Sequence, residues 1–262
     1  MTGLIDWDAA FENGAHIPGG ADYPARWQAR AAEYRDTVRT RLDVPYGDGA
    51  RERFDLFLPD GTPKGLAVFV HGGYWKAFDK STWSHLAHGA VARGWAMAMP
   101  SYTLAPDATL AVMTAQIARA IAAAQAEVPG PVRLAGHSAG GHLVARMLCA
   151  DMPNVAGQAV SISGLHDLRP LLRTKMNGIL RLTPDMAQAE SPALQVPRPG
   201  THLTAWVGGH ERPEFLRQSA LMREAWPGTR LVVDGDFHHF NVIAALEDPD
   251  SSLTEAILQD AP

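Results

Sequence analysis

The stretch Gly136-His137-Ser138-Ala139-Gly140 has the plainest chemical meaning in this sequence. It places a serine between two glycines, directly after the apolar run at 131–135. A strand that turns sharply into a helix strains the backbone of the serine at the turn, and glycines two residues away leave room for this. The pattern therefore predicts a nucleophile elbow with Ser138 as the attacking group. Because any Gly/Ser-rich turn that opens a helix also fits, the interpretation depends on the groups that must accompany the serine.

A serine hydroxyl needs a base within hydrogen-bond reach and a third group that orients the base. His238 and His239 follow the last predicted strand, 231–234, where the chain order serine, acid, histidine requires the base. We predict His239 as the base, because a helix start follows shortly after it, and His238 as a support of the loop. His137 and His142 are predicted to be structural, since both should point into the packing between strand and helix.

The orienting acid should follow the preceding strand, which ends near Trp206-Val207. Glu211 fits this position best, and its carboxylate would hold His239 so that the correct imidazole nitrogen faces Ser138. The sequence leaves other carboxylates open for this role: Glu214, Asp234, Asp236 and Asp167.

The tetrahedral intermediate of such a reaction needs N–H donors for its negative oxygen. The turn His71-Gly72-Gly73-Tyr74-Trp75 follows an apolar strand and lies upstream of the elbow, as a donor loop should. We predict the backbone N–H groups of Gly73 and Ala139 as the principal donors, with Gly72 or Tyr74 as alternatives. His71 is predicted to pin this loop by hydrogen bonds.

Composition narrows the classes of molecule that this protein could bind and the compartment in which it could work. The chain has 262 residues, a net charge of −5 and 23 dispersed Lys and Arg residues, which gives no basic footprint for nucleic acid. No apolar run approaches the roughly 20 residues of a membrane span, and the first residues resemble no leader peptide. A single cysteine, Cys149, excludes an intrachain disulfide. A soluble, cytoplasmic protein is expected, without a metal, because no HExxH spacing or cysteine cluster accompanies the histidines.

The order of apolar patterns predicts an α/β protein in one domain, 1–262. An N-terminal arm at 1–35 precedes an antiparallel hairpin over 37–58, after which strand and helix patterns alternate. Such alternation is typical of parallel strands joined by crossover helices, and chemistry then gathers at the carboxyl ends of the strands. Residues 165–200 interrupt the alternation and suit a small helical cap.

These motifs resemble the arylformamidase, or kynurenine formamidase, branch of the α/β-hydrolase superfamily, which is close to the hormone-sensitive-lipase-like esterases. The resemblance runs from the arm to the last helix. It is carried by the 71–75 turn, in which this branch has Trp after the glycine pair, and by 136–143, 163–168, 213–219 and 238–240.

The resemblance implies an α/β-hydrolase fold, in which a mostly parallel central sheet is flanked by helices on both faces. It also implies Ser138 as nucleophile, His239 as base and an acid at Glu211, where Asp is the commoner family residue. No cofactor is implied. The family activity is hydrolysis of N-formylkynurenine to kynurenine and formate, and the branch also contains bacterial esterases.

A formyl group has no side chain, so a narrow acyl site beside Gly72, Gly73 and Ala139 would suit it, although acetyl esters would fit too. An aryl leaving group needs an aromatic wall, for which we predict residues near strand ends: Tyr74, Trp75, Tyr102, Phe237 and Phe240. Core packing is the alternative for these rings, above all for Trp75. No arginine in these loops is an obvious clamp for a carboxylate.

The sequence thus favours a serine hydrolase that acts through an acyl-enzyme on a small carboxylic ester or aryl formamide. The alternatives are a short-chain carboxylesterase without formamidase activity and a non-catalytic binding protein on the same scaffold. The partner is expected to be a small-molecule substrate. The arm, with its aromatic residues, is predicted either to close over the pocket or to bind a second subunit in a homodimer.

Overall fold

Eight strands form one mostly parallel sheet in the computed structural model, which describes residues 5–260. The strands are β1 Arg39–Pro45, β2 Arg53–Leu58, β3 Leu66–Val70, β4 Ala96–Pro100, β5 Val132–His137, β6 Gln158–Ile162, β7 His202–Gly208 and β8 Arg230–Asp234. Their order in the sheet is β1-β2-β4-β3-β5-β6-β7-β8, with β2 antiparallel to both β1 and β4 and every other pair parallel. The predicted hairpin and the predicted mostly parallel central sheet are confirmed.

Helices cover both faces of this sheet. Strand β3 shows why its sequence is continuously apolar: Leu66, Val68 and Val70 pack into one core cluster, and Ala67 and Phe69 into another on the opposite face. The α-helices are α1 Trp7–Phe11, α2 Tyr23–Arg35, α3 His88–Ala92, α4 Leu110–Glu127, α5 Ala139–Arg146, α6 Asn177–Leu180, α7 Pro184–Ala189, α8 Pro213–Ala225 and α9 Ser252–Leu258. Of these, α4, α5 and α8 pack into the first cluster, and α2, α3 and α9 into the second.

One helix is shorter than its sequence pattern. The pattern over 82–93 predicts a helix, but the chain forms 3-10 turns at Lys80–Thr82 and Ser84–Ala87 before α3 begins. Trp83, between these turns, has φ −120° and ψ 4°, which is outside the helical region, and its buried ring contacts that of Trp27. Tertiary packing of one large side chain therefore overrides the local helical pattern.

Residues 165–200 form short helical segments between β6 and β7. These are the 3-10 turn Arg169–Arg173, helices α6 and α7, and the 3-10 turn Pro192–Leu194. Prolines stand in the first turn of three of them, where the missing N–H costs no helical hydrogen bond. The proline-rich composition thus starts helices here.

The single cysteine of the chain, Cys149, is buried. This burial raises the pKa of its thiol to about 11.

Among residues 5–260, no helix combines the length and the apolar character that crossing a bilayer would require.

The turn from β5 into α5 is the tightest feature that positions the site. Ser138 has φ 56° and ψ −116°, a strained conformation for a residue other than glycine. A Cβ atom at Gly136 would collide with the carbonyl oxygen of Gly140, and one at Gly140 with the carbonyl oxygen of Val70. The two glycines therefore allow α5 to approach β3 and β5 at backbone distance.

Replacing Gly140 by alanine tests this close approach. We expect Gly140→Ala to lower the free energy of unfolding by about 1–3 kcal/mol or more, because the colliding atom belongs to a backbone that cannot rotate away. The matched control is Gly157→Ala, since nothing lies within 4 Å of a Cβ atom at Gly157. Chemical denaturation monitored by circular dichroism measures both, and equal stability of the two variants would contradict the packing argument.

Candidate active site

The three residues predicted for acyl transfer lie at one edge of the sheet. Ser138 follows β5, Glu211 follows β7 and His239 follows β8. Nδ1 of His239 lies 2.7 Å from Oε2 of Glu211, and the two side chains are 4% and 0% exposed. Ser138 and His239 line the same cavity, whose volume is about 830 Å³. The arrangement leaves Nε2 of His239 as the nitrogen that can take a proton from the serine.

The carboxylate of Glu211 is held at both oxygens. Oε2 faces His239, and Oε1 accepts hydrogen bonds from the backbone N–H of Gly208 at 2.9 Å and from the hydroxyl of Ser163. The N–H of Glu211 bonds to the carbonyl of Gly208, so the chain turns back and brings the side chain over the end of β7. Sequence reasoning missed Ser163, although its position directly after β6 is a signal that could have identified it.

The alternative acids have other partners or none near the base. Glu214 is paired with Arg217, Asp167 with Arg169, and Asp234 accepts a hydrogen bond from Trp206. Asp236 is exposed. Among the described residues, Glu211 is the carboxylate that bonds to the imidazole of His239.

The other histidines of the region support the site. Nε2 of His238 lies 3.3 Å from the hydroxyl of Tyr23 in the arm. His137 donates from Nε2 to the backbone carbonyl of His239, and the two imidazole rings are 4.6 Å apart. Its side chain also contributes to the cavity wall, which its predicted structural role did not include. Burial lowers the pKa of His137 well below its usual value, so this ring is neutral beside His239.

The glycine turn after β3 lies directly against the elbow. A Cβ atom at Gly72 would be 2.8 Å from the carbonyl oxygen of His137. Within residues 5–260, the N–H groups of Gly73, Tyr74 and Ala139 have no hydrogen-bond partner, so they are available to a bound oxyanion. His71 fixes the turn by donating from Nδ1 to the carbonyl of Gly72 at 2.7 Å, and burial lowers the pKa of its imidazole to about 4.

Of the five aromatic residues predicted to contact substrate, Tyr74 and Phe240 line the cavity. The structure places the other three elsewhere. Trp75 is fully buried against His142, and Tyr102 stacks on His71 in the core and donates its hydroxyl hydrogen to the carbonyl of His71. Phe237 packs with the core cluster on one sheet face. Aromatic residues that the sequence did not single out as substrate contacts complete the wall: Phe11, Trp27, Phe78 and Trp83.

The N-terminal arm forms much of the cavity wall, from Asp8 to Trp27. It is bonded to three loops at this edge of the sheet and to the 165–200 segment. The hydroxyl of Tyr74 donates to the carbonyl of Phe11, the backbone N–H of Lys175 donates to Asp8, Arg212 donates to the carbonyl of Ala9, and Tyr23 contacts His238. The arm therefore closes over the pocket, which is one of its two predicted roles.

Two lysines stand at the same cavity. Lys76 comes from the loop after β3 and Lys175 from the 165–200 segment, and both side chains are exposed. In the part of the chain that the structure describes, neither forms an ion pair. The nearby carboxylates of Asp8 and Glu12 accept backbone N–H groups. Sequence reasoning looked for an arginine clamp here and did not consider these lysines.

Comparisons with known proteins give this geometry a family. A sequence model of the alpha/beta hydrolase family matches residues 67–257. The chain belongs to the alpha/beta hydrolase family. It is 31% identical to the kynurenine formamidase of Danio rerio over 245 residues, which cover 86% of this chain and 83% of that one. The predicted resemblance to the kynurenine formamidase branch is confirmed.

Solved structures share this fold. A protein from Silicibacter sp. tm1040, described provisionally as a thioesterase, is 52% identical, with a TM-score of 0.94 over 98% of this chain and 100% of that one. Esterase B from Lactobacillus rhamnosis shares the fold at a TM-score of 0.70 and 16% identity, over 91% and 90% of the two chains. The family model and the kynurenine formamidase relative show that the protein is a hydrolase. The residue that acts as the acid of the site can be tested directly.

The assignment of the acid predicts a sharp difference between two neighbouring glutamates. In Glu211→Gln, we expect kcat to fall by about 10³- to 10⁴-fold, because an amide stabilises the wrong tautomer of His239 and no longer stabilises the imidazolium. In the control Glu214→Gln, kcat should stay within a few-fold of wild type. Steady-state hydrolysis of p-nitrophenyl acetate measures both, and a comparable loss in the two variants would contradict the assignment.

Proposed function

We propose that this hydrolase cleaves small carboxylic esters and aryl formamides through an acyl-enzyme formed on Ser138. The observation that carries the proposal is the buried His239–Glu211 pair at the same cavity as the strained serine. Six aromatic residues contribute to the lining of this cavity, and their rings suit a flat aryl leaving group.

In the proposed reaction, Oγ of Ser138 attacks the carbonyl carbon while Nε2 of His239 takes the hydroxyl proton. The N–H groups of Gly73 and Ala139, with Tyr74 as a further donor, stabilise the negative oxygen of the tetrahedral intermediate. The intermediate collapses, and the leaving alcohol or amine receives the proton from His239. Water then attacks the acyl-enzyme by the same steps in reverse order, which releases the acid and returns the proton to Ser138.

N-formylkynurenine is the specific substrate that we propose. The similarity to kynurenine formamidases supports it. Gly72 supports it too, because a Cβ atom there would lie 3.1 Å from the Cβ atom of Ser138 and a side chain would crowd the small acyl group. The unpaired ammonium groups of Lys76 and Lys175 are available to the carboxylate of its amino-acid part. A neutral short-chain ester offers no carboxylate to these two cations.

A short acyl thioester is the second candidate substrate. The provisional description of the Silicibacter protein, which is 52% identical, favours it. A thioester needs the same nucleophile, base and oxyanion donors as an ester, so the site itself does not separate the two.

The cytoplasmic location that we propose is supported by the lone, buried Cys149. A homodimer stays a prediction, which light scattering can test.

The decisive experiment compares three substrates with wild type and Ser138→Ala. We expect wild type to hydrolyse N-formyl-L-kynurenine with a higher kcat/KM than p-nitrophenyl acetate or S-acetyl-thiocholine, because only the first offers both an aromatic ring and a carboxylate to this cavity. Ser138→Ala should reduce all three reactions to background. Hydrolysis of the ester or thioester alone would contradict the formamidase proposal and leave an esterase or thioesterase.

The role of the two lysines predicts an effect that depends on the substrate. We expect Lys76→Gln and Lys175→Gln each to raise KM for N-formyl-L-kynurenine by about two- to fivefold, since an exposed ion pair contributes up to about 1 kcal/mol. KM for the neutral p-nitrophenyl acetate serves as the control and should not change. Added salt should weaken the effect. Equal changes with both substrates would show that the lysines do not bind the carboxylate.

A further inference from the structure

Ser163 occupies an unusual place beside the proposed catalytic groups. It directly follows β6, which lies in the sheet between β5, the strand of the nucleophile, and β7, the strand of the acid. Its side chain is fully buried, and its φ of 52° is in the left-handed region that serine rarely adopts. Backbone strain at a buried serine beside the proposed catalytic groups indicates that its hydroxyl has a function.

The end of β6 connects the nucleophile and the acid. The N–H of Ser138 bonds to the carbonyl of Ile162 at 2.8 Å, and the next residue, Ser163, donates its hydroxyl hydrogen to Oε1 of Glu211. The N–H of Ser163 bonds to the carbonyl of Trp206 in β7 at 2.6 Å, which fixes the hydroxyl relative to the strand that carries Glu211.

We propose that the Ser163 hydroxyl is a positioning residue that sets the orientation of the Glu211 carboxylate toward His239. This inference rests on the proposed function of Glu211 as the acid. A glutamate has one more side-chain torsion than an aspartate, so its carboxylate needs a further constraint to keep Oε2 opposite Nδ1 of His239. The hydroxyl and the N–H of Gly208 bind the other oxygen and supply that constraint.

The test removes the hydroxyl of Ser163 in two variants, one with alanine and one with glycine at this position. In Ser163→Ala and Ser163→Gly, we expect kcat for p-nitrophenyl acetate to fall by about 10- to 100-fold, as for the loss of a hydrogen bond to a charged group. KM should stay within about twofold, because Ser163 does not line the cavity. The control is Ser219→Ala, which removes a hydroxyl that is equally buried and lacks a hydrogen-bond partner among the described residues. Its kcat should match wild type.

A second readout does not depend on turnover. The Nδ1–H proton of His239, held by a carboxylate, should give a low-field proton resonance that disappears in Glu211→Gln. We expect this resonance to shift or broaden in both Ser163 variants and to remain in place in Ser219→Ala. The pH at which kcat/KM falls to half on the acid side should also move in the Ser163 variants, which a merely structural effect would not cause.

The outcomes are distinct. Wild-type kcat together with an unmoved resonance in Ser163→Ala would overturn the inference. Wild-type kcat in Ser163→Gly would overturn it too, because a loss of kcat in Ser163→Ala would then come from backbone strain. Absence of hydrolysis by wild type would defeat the proposed function. In that case the resonance alone decides whether Ser163 holds Glu211.

Discussion

A carboxylate with no exposed surface is the constraint on which this site depends. The side chain of Glu211 is 0% exposed, and an ionised group that is buried without partners costs several kcal/mol. Its three donors come from three places: Ser163 at the end of β6, Gly208 at the end of β7 and His239 beyond β8. The carboxylate is therefore stable only if three neighbouring strands end at the same edge in this order, so the sheet topology and the site support each other.

Polar contacts also explain how the arm is ordered. Its sequence lacks a clear core periodicity, and it includes the buried Phe11 and Trp27. It is joined by hydrogen bonds to the 71–78 loop, the 165–200 segment, the loop after β7 and the loop after β8. Each of these elements borders the cavity or carries a proposed catalytic residue. A segment with little core of its own thus completes the site by binding to the elements that surround it.

Short-range patterns in the sequence predict part of this structure. One of them is the nucleophile elbow, on which the substrate experiment with Ser138→Ala depends. The elbow and the strand alternation are local, and the family order serine, acid, histidine places Glu211 and His239 after the last two strands. The fold and the Glu211–His239 pairing could therefore be predicted. The orientation of rings in the 71–78 loop could not, because Tyr74, Trp75 and Phe78 all have φ between 50° and 73° and side-chain alternation fails there. Ser163 is 48 residues from Glu211 in sequence, and their contact depends on the pairing of β6 with β7.

The distribution of roles between the sheet edge and the arm bears on how the substrate is chosen. The groups proposed as nucleophile, base, acid and N–H donors all come from the sheet edge, and they would serve an ester, a thioester or a formamide equally. The cavity of about 830 Å³ is bounded largely by the arm, the 71–78 loop and the 165–200 segment. Discrimination between substrates therefore depends on the parts of the substrate that these three segments contact. We therefore expect relatives that keep the proposed catalytic residues to differ in substrate where they differ at the positions of Trp27, Lys76 or Lys175.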